Sequence, residues 1–319
     1  MKFFVFLFIS ISLFATDILT LYRKNGISEI EKQMDIELMG TEYWSKYLSD
    51  KDTRFGFIEK YSNILTCDKE KSTLTLYRLA NNKTYKLQKQ YSAYTGKLKG
   101  DKVKEGDLKT PIGIYNLVKK LKNVDSFYGP MAFVTSYPNL YDKYRGKSGH
   151  GIWIHGLPTK QQRDEFTKGC IAINNPNIEC LDRHIDIDKT ILIINNKEVK
   201  KDISKDTLSL ILAQLYEWRY AWKYNELDRY LSFYDKNFLR ADGMNYNRFV
   251  RYKSRVFKKI EKRTIVFKDI NLIPYPNTDD IYQITFREFY KSDTFEFTGE
   301  KILVVKLDNT QKIKILTEK

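Results

Sequence analysis

The spacing of apolar residues changes twice along the chain. From 17 to 58 it is helical: Ile27, Ile30, Met34 and Leu38 recur at three or four and share one face. Gly40-Thr41 interrupts the pattern and TEYWSKYL resumes it. From Tyr61 the period becomes two. NILTC, STLTLYRL and KTYKLQKQYSAY alternate and are rich in β-branched and aromatic residues, with DKEKS and ANNK as the turns between them. TPIGIYNLV, AFVTSY, HGIWIH, GCIAI and TILIIN follow as short strands. Asn175-Pro176 opens a short helix, with Asn suited to the cap and Pro to the first turn. After the charged connector KEVKKDISKD (197–206), Leu208, Ile211, Leu212, Leu215, Trp218 and Trp222 again form a helical face. A further helix is expected at 247–260, then four strands in RTIVFKDINLI, IYQITFREFY, TFEFTGEKILVVKL and KIKIL. The pattern predicts a helical arm (17–60), a mainly β domain (61–200) and an α+β domain (207–319).

The first sixteen residues belong to none of these. Lys2 precedes an apolar run from Phe3 to Phe14, then small Ala15 and Thr16 and polar Asp17. This reads as a secretory signal peptide; the run is shorter than the roughly 20 residues that span a bilayer. The mature protein is therefore expected outside the cytoplasm. With 23 Tyr and 19 Phe in 319 residues, the chain is not a disordered one. Its net charge of +15 points to an anionic partner, and export removes nucleic acid from that choice. Three cysteines, Cys67, Cys170 and Cys180, are too few for a disulfide scaffold, and their odd number leaves at least one thiol without an internal partner.

One of those thiols has a chemical setting. In GHGIWIH (149–155), alternation puts Ile152 and Ile154 on one face and Trp153 and His155 on the other. In GCIAI, Ile171 and Ile173 oppose Cys170 and Ala172. Two adjacent strands would aim His155 and Cys170 into one space, where an imidazole makes a thiol a working nucleophile. The N–H groups of Gly169 and Cys170 are then candidates for an oxyanion hole. The plainer alternative is a small buried Cys170 and a structural His155. His150, His184, Cys180 and Asp182 show no close pair of metal-ligand type, so neither a metal nor another cofactor is expected. The basic run RFVRYKSRVFKKIEKR (248–263) is either a solvated helix face or a contact for an anionic polymer.

YSAYTGKLKG, KTPIGIY, WIHG and TKGCIAI occur in that order over 91–173. This set resembles the catalytic domain of the L,D-transpeptidases, the YkuD-like family, over most of 61–196. The resemblance implies a β-sandwich with short helices, Cys170 as nucleophile, His155 as base and the Gly156 carbonyl as its orienting group. Two positions depart from the family. Lys168 stands where His usually precedes Gly-Cys, and Ala172 where Arg is common. Lys168 would support the thiolate by charge, and Ala172 would alter a contact to a substrate carboxylate. Trp153, Tyr137 and Tyr141 are candidates to line the cleft, with packing as the alternative.

EWRYAWKYNELDRYLSFYDKNF (217–238) resembles the opening helices of NTF2-like domains, which curl a sheet around a helix-lined pocket. Trp218 and Trp222 read as core residues, with a pocket for a small ligand beside them. The whole order of segments resembles the cell-shape LD-carboxypeptidases of helical Gram-negative bacteria. That implies a periplasmic enzyme that removes terminal D-Ala from tetrapeptide stems of peptidoglycan through a thioester. An L,D-transpeptidase forming 3–3 cross-links and a non-catalytic wall-binding protein are the alternatives. The arm is thin enough to suggest a homodimer formed through it.

Overall fold

The computed structural model describes residues 18–159, 165–196 and 203–319. The expected export signal and most of the 197–206 connector lie outside the described residues.

Three helices open the described chain: α1 (18–25), α2 (Ile27–Leu38) and α3 (Thr41–Leu48), followed by strand β1 (Phe57–Ile58). The middle domain has β2 (Asn63–Asp68), β3 (Thr73–Leu79), β4 (Tyr85–Ser92), β5 (Gly113–Leu121), β6 (Ala132–Thr135), β7 (Trp153–His155), β8 (Ile171–Ala172) and β9 (Thr190–Asn195). Two helices, α4 (Leu140–Tyr144) and α5 (Asn175–His184), lie between them. The sheet order is β4-β3-β2-β9-β5-β6-β7-β8. β5 serves both halves: Gly113–Asn116 pairs with β9, and Leu117–Leu121 pairs with β6 after a shift in register. Beyond β4, Tyr94 bridges Ala172 and Gly96 bridges Thr167, so the two edges of the sheet meet. The sheet thus folds over one core, with Leu65, Cys67, Leu74 and Leu76 from one half against Phe133, Ile154 and Ile171 from the other.

Two local expectations shift. The strand expected over 149–155 begins only at Trp153, because Gly149 (φ 97°) and Gly151 (φ 70°) adopt left-handed backbone that no strand holds. The cap of α5 is Asn174, one residue earlier than expected; its side chain accepts from the Asn177 N–H, and Pro176 lies in the first turn.

The C-terminal domain has α6 (Lys205–Lys223), α7 (Leu227–Ser232) and α8 (Tyr246–Phe257), then β10 (Thr264–Pro274), β11 (Ile281–Lys291), β12 (Glu296–Leu307) and β13 (Ile313–Glu318). Ser204 caps α6 by accepting from the Thr207 N–H. The strands form an antiparallel sheet in the order β1-β10-β11-β12-β13. A bulge between Lys268 and Asn271, with Asp269 at φ 56°, adds to its curl. Trp218 is fully buried among Leu212, Leu215, Leu272 and Ile284, as a core residue. A separate apolar layer joins the two domains: Ile64, Ile114, Tyr141 and Ile193 pack with Tyr275, Val304 and Leu316.

The arm belongs to the C-terminal domain. Trp44 and Leu48 enter its core, and β1 pairs with β10. The stripe expected on α2 holds in part: Ile30, Met34 and Leu38 are half-buried, but Ile27 is 63% exposed and the most buried position is Asp35, 5% exposed. Asp35 is buried because it accepts from Arg219, from Lys223 Nζ at 2.6 Å and from the Tyr224 hydroxyl at 3.0 Å. The arm therefore finds its partner within its own chain, which removes the reason for expecting two chains to pair through it.

All three cysteines are free thiols. Cys67 is fully buried in the sheet core, and burial pushes its thiol up to about 12. Iodoacetamide at pH 8 should therefore label Cys170 and Cys180 in the native protein but Cys67 only after denaturation. Peptide mapping by mass spectrometry reads this, and native labelling of Cys67 at a comparable rate would contradict the packing.

Candidate active site

The register of two short strands builds the site. β7 and β8 run parallel, with Ile154 beside Ile171 and His155 beside Ala172. Cys170, just before β8, therefore falls next to Trp153 and one step from His155. Alternation puts these three on the face opposite Ile154 and Ile171, which are both fully buried in the core. His155 is buried and Cys170 half-exposed, so the thiol meets solvent and the imidazole stands behind it. Cys170 Sγ lies 3.5 Å from the carbonyl oxygen of Gly151, in the glycine-rich turn before β7.

The imidazole is held in one tautomer. His155 Nδ1 is 2.6 Å from the Gly156 carbonyl oxygen. A carbonyl only accepts, so Nδ1 carries the proton and Nε2 keeps its lone pair. The carbonyl is itself fixed by close packing. A Cβ on Gly156 would lie 2.4 Å from Asn175 Oδ1, and one on Gly129 would lie 2.6 Å from the same atom. Asn175 Oδ1 accepts from the Leu157 N–H at 2.7 Å, which clamps the segment after His155. Sequence reasoning reads Asn175 only as a helix cap and misses this role.

Tyr128 is missed as well. It ends a short 3-10 turn (Ser126–Tyr128) capped by Asp125, and its ring sits edge-on to His155 at 5.0 Å and tilted against Trp153 at 5.0 Å. Burial, and next the charge of Cys170, raise its hydroxyl above the usual tyrosine value. Its only sequence signal is the turn-forming Gly129-Pro130 that follows it.

The remaining expected residues divide. Trp153 stays partly exposed beside Tyr128, and Lys168 is exposed immediately before Gly169. Gly169 is needed as glycine, since its φ is 139° and a Cβ would lie 2.9 Å from the Lys109 carbonyl oxygen. Its N–H, expected in an oxyanion hole, instead donates to Thr167 Oγ1 at 3.0 Å, and that hydroxyl donates to the Cys170 carbonyl at 2.7 Å. Ala172 does not line the cleft: it is fully buried, and its N–H and carbonyl both pair with Tyr94. Tyr137 is a packing residue, 6% exposed, stacked edge-on to Tyr115, with its hydroxyl donating to the Ser148 carbonyl at 2.8 Å. Tyr141 is buried in the layer between the domains. His150 is exposed beside Glu105, and His184 ends α5 with Nδ1 2.7 Å from the Cys180 carbonyl. Among the described residues, no group of three His, Cys, Asp or Glu could hold a metal ion.

The C-terminal domain has a cleft of about 770 Å³ bounded by Trp222, Tyr290 and Tyr252. Lys253, from the basic run, turns into it rather than to solvent. Its Nζ lies 4.7 Å from the Trp222 ring centre and 4.9 Å from that of Tyr230. Burial pushes the Lys253 amine down to about 8 and raises the carboxyl of neighbouring Glu288. Arg263 is also buried, donating to Asn225 Oδ1 and to carbonyls near the end of α8.

Comparison with known proteins agrees with this layout. Residues 62–194 match the L,D-transpeptidase catalytic domain, YkuD, and residues 210–319 match the Cds6 C-terminal NTF2-like domain. The putative L,D-transpeptidase YafK of Escherichia coli (strain K12) is 34% identical over 113 residues, 35% of this chain and 42% of that protein. The chain thus spans under half the length of the curated relatives it matches. The crystal structure of the helical cell shape determining protein Pgp2 from Campylobacter jejuni superposes with a TM-score of 0.80 at 39% identity, covering 88% of this chain and 99% of that one. Bd1075 of Bdellovibrio bacteriovorus superposes at 0.65 with 27% identity, covering 81% and 92%. With both domains matched in order and the relation to Pgp2 running through nearly the whole of that protein, the chain belongs to the L,D-transpeptidase (YkuD) family, in the form that joins the catalytic domain to a Cds6-type NTF2-like domain.

Proposed function

We propose that this protein is an LD-carboxypeptidase of the periplasm that removes terminal D-Ala from tetrapeptide stems of peptidoglycan. The observation that carries the reading is the pairing of His155 Nδ1 with the Gly156 carbonyl, on the face shared with Cys170. That pairing leaves Nε2 as the base. Nε2 takes the thiol proton of Cys170, and the thiolate attacks the carbonyl carbon at the L-centre of meso-diaminopimelate. The N–H of Cys170 faces the oxyanion so formed. The C–N bond to D-Ala then breaks, His155 returns the proton to the leaving amine, and a thioester remains. Water, deprotonated by Nε2, attacks the thioester, releasing the tripeptide carboxylate and the thiol. Trp153 and Tyr128 flank the stem, and exposed Lys168 offers its charge to the terminal carboxylate. The positive net charge suits a carboxylate-bearing polymer. Likeness to a protein described as determining helical cell shape supports a role in cell shape. The aromatic and charged C-terminal cleft is suited to a small ligand of its own.

Purified protein incubated with tetrapeptide muropeptides should release D-Ala and accumulate tripeptides on reversed-phase chromatography. New 3–3 cross-linked dimers without tripeptide gain would replace hydrolysis by transfer to an amine. No turnover of either kind would leave a wall-binding protein.

A further inference from the structure

A separate concavity lies on strands that carry neither Cys170 nor His155. A cleft of about 340 Å³ sits on the outer face of β2, β3, β4 and β9, bounded by Arg54 and Phe55. Alternation sets its floor. Leu65, Cys67, Leu74 and Leu76 point into the core, so Thr66, Asp68, Thr73 and Thr75 point out. Further along β2 the same outward face carries Ile64, which is sealed against the C-terminal domain. The face is therefore apolar where the domains meet and hydroxyl-rich where the cleft opens.

One atom in this cleft lacks its expected partner. Asp68 is 9% exposed, and its Oδ1 accepts from the N–H groups of Glu70 and Lys71, each at 2.9 Å. Its Oδ2 is buried with no hydrogen-bond partner among the described residues. A buried carboxylate oxygen without a donor is costly, which points to a donor arriving with a ligand. The charges around it narrow the ligand class. Arg54, paired with Asp52 at 2.8 Å, and Lys71 line the same cleft, so an ammonium group would meet cationic side chains beside this carboxylate. A polyanion would meet the buried carboxylate. A neutral polyhydroxyl ligand suits both, donating to Asp68 and exchanging hydrogen bonds with the threonine hydroxyls and Gln90. Leu87, 56% exposed, and Tyr77 add apolar surface of the kind that the C–H face of a sugar ring covers. The volume is near the low end, about 300 Å³, of small-molecule sites.

We propose that this cleft binds the glycan strand of peptidoglycan through one or two N-acetylated sugar units. The inference rests on the reading that peptidoglycan is the polymer handled, and it gives the middle domain a hold on the strand separate from the stem.

Chitotetraose, a β-1,4-linked N-acetylglucosamine tetramer with no stem peptide, tests it by calorimetric titration of the purified full chain. Saturable binding is expected. Asp68→Asn, which keeps an oxygen for the two N–H groups, should weaken it about tenfold. Gln90→Ala lies at an exposed position that does not threaten the fold, and should weaken it about threefold. Cys170→Ala and Lys253→Met should leave it unchanged. No saturable binding, or binding lost in Lys253→Met but kept in Asp68→Asn, would overturn the proposal, the latter by placing the sugar in the C-terminal cleft. If the carboxypeptidase reading fails instead, D-Ala release is absent while chitotetraose still binds.

Discussion

Cys170→Ser is expected to stop D-Ala release from tetrapeptide muropeptides, lowering turnover by at least about 10³-fold. Serine keeps the size and position of the side chain but holds its proton far more tightly than a thiol does, so His155 cannot generate the nucleophile near neutral pH. His155→Asn removes the base in both half-reactions and should cost about 10²–10⁴-fold. Because the two groups act as one unit, the double variant should be little worse than the more damaged single. Neither change should lower the melting temperature much. Cys170 is half-exposed, and in His155→Asn the introduced amide nitrogen stands where Nδ1 does and can still donate to the Gly156 carbonyl that His155 engages. Chromatography of the digest reads activity and circular dichroism reads the fold. A Cys170→Ser enzyme that still releases D-Ala at a tenth of the normal rate would rule out thioester chemistry at this residue.

The parts of this site that periodicity could reach are those that depend on neighbouring residues. Alternation in WIH and CIA assigns Cys170 and His155 to one face because side chains on a strand reverse at every step. It cannot say what covers that face. Ala172 and Tyr137 lie on suitable strands and turns, yet one is closed by Tyr94 and the other by Tyr115, residues distant in sequence. Tyr128 and Asn175 escape for the same reason. Each reaches the imidazole or its loop from another element, and nothing in their immediate neighbours reports the contact. Gly149 and Gly151 show a different limit, since glycine permits both the extended and the left-handed backbone and only the fold selects between them. In α2 the helical period is legible, but the buried face is decided by a charge. Asp35 goes inside because Arg219 and Lys223 wait there, a fact that lies almost two hundred residues away.

That buried cluster carries the other large expected effect. Asp35→Ala should lower the free energy of unfolding by about 3–5 kcal/mol. Asp35 is 5% exposed, Arg219 7% and Lys223 9%, so losing the carboxylate leaves two cations facing each other out of water. Arg219 keeps one bond to the Ile265 carbonyl at 2.8 Å, and Lys223 keeps Glu31 at 2.7 Å, which is why the loss is not larger. Asp35→Asn keeps the shape and one acceptor and should fall between the two. Replacing all three together, Asp35→Leu with Arg219→Met and Lys223→Met, should recover most of the stability, because the cost of desolvating the charges disappears with them. Urea unfolding followed by tryptophan fluorescence suits the test, since Trp44 sits on the arm and is buried against Tyr216 of α6. In Asp35→Ala the arm should loosen before the sheet, giving an early red shift from Trp44 and faster tryptic cleavage within α2. A loss under about 1 kcal/mol, with no early shift, would mean that Trp44, Leu48 and the pairing of β1 with β10 hold the arm without help from the charges.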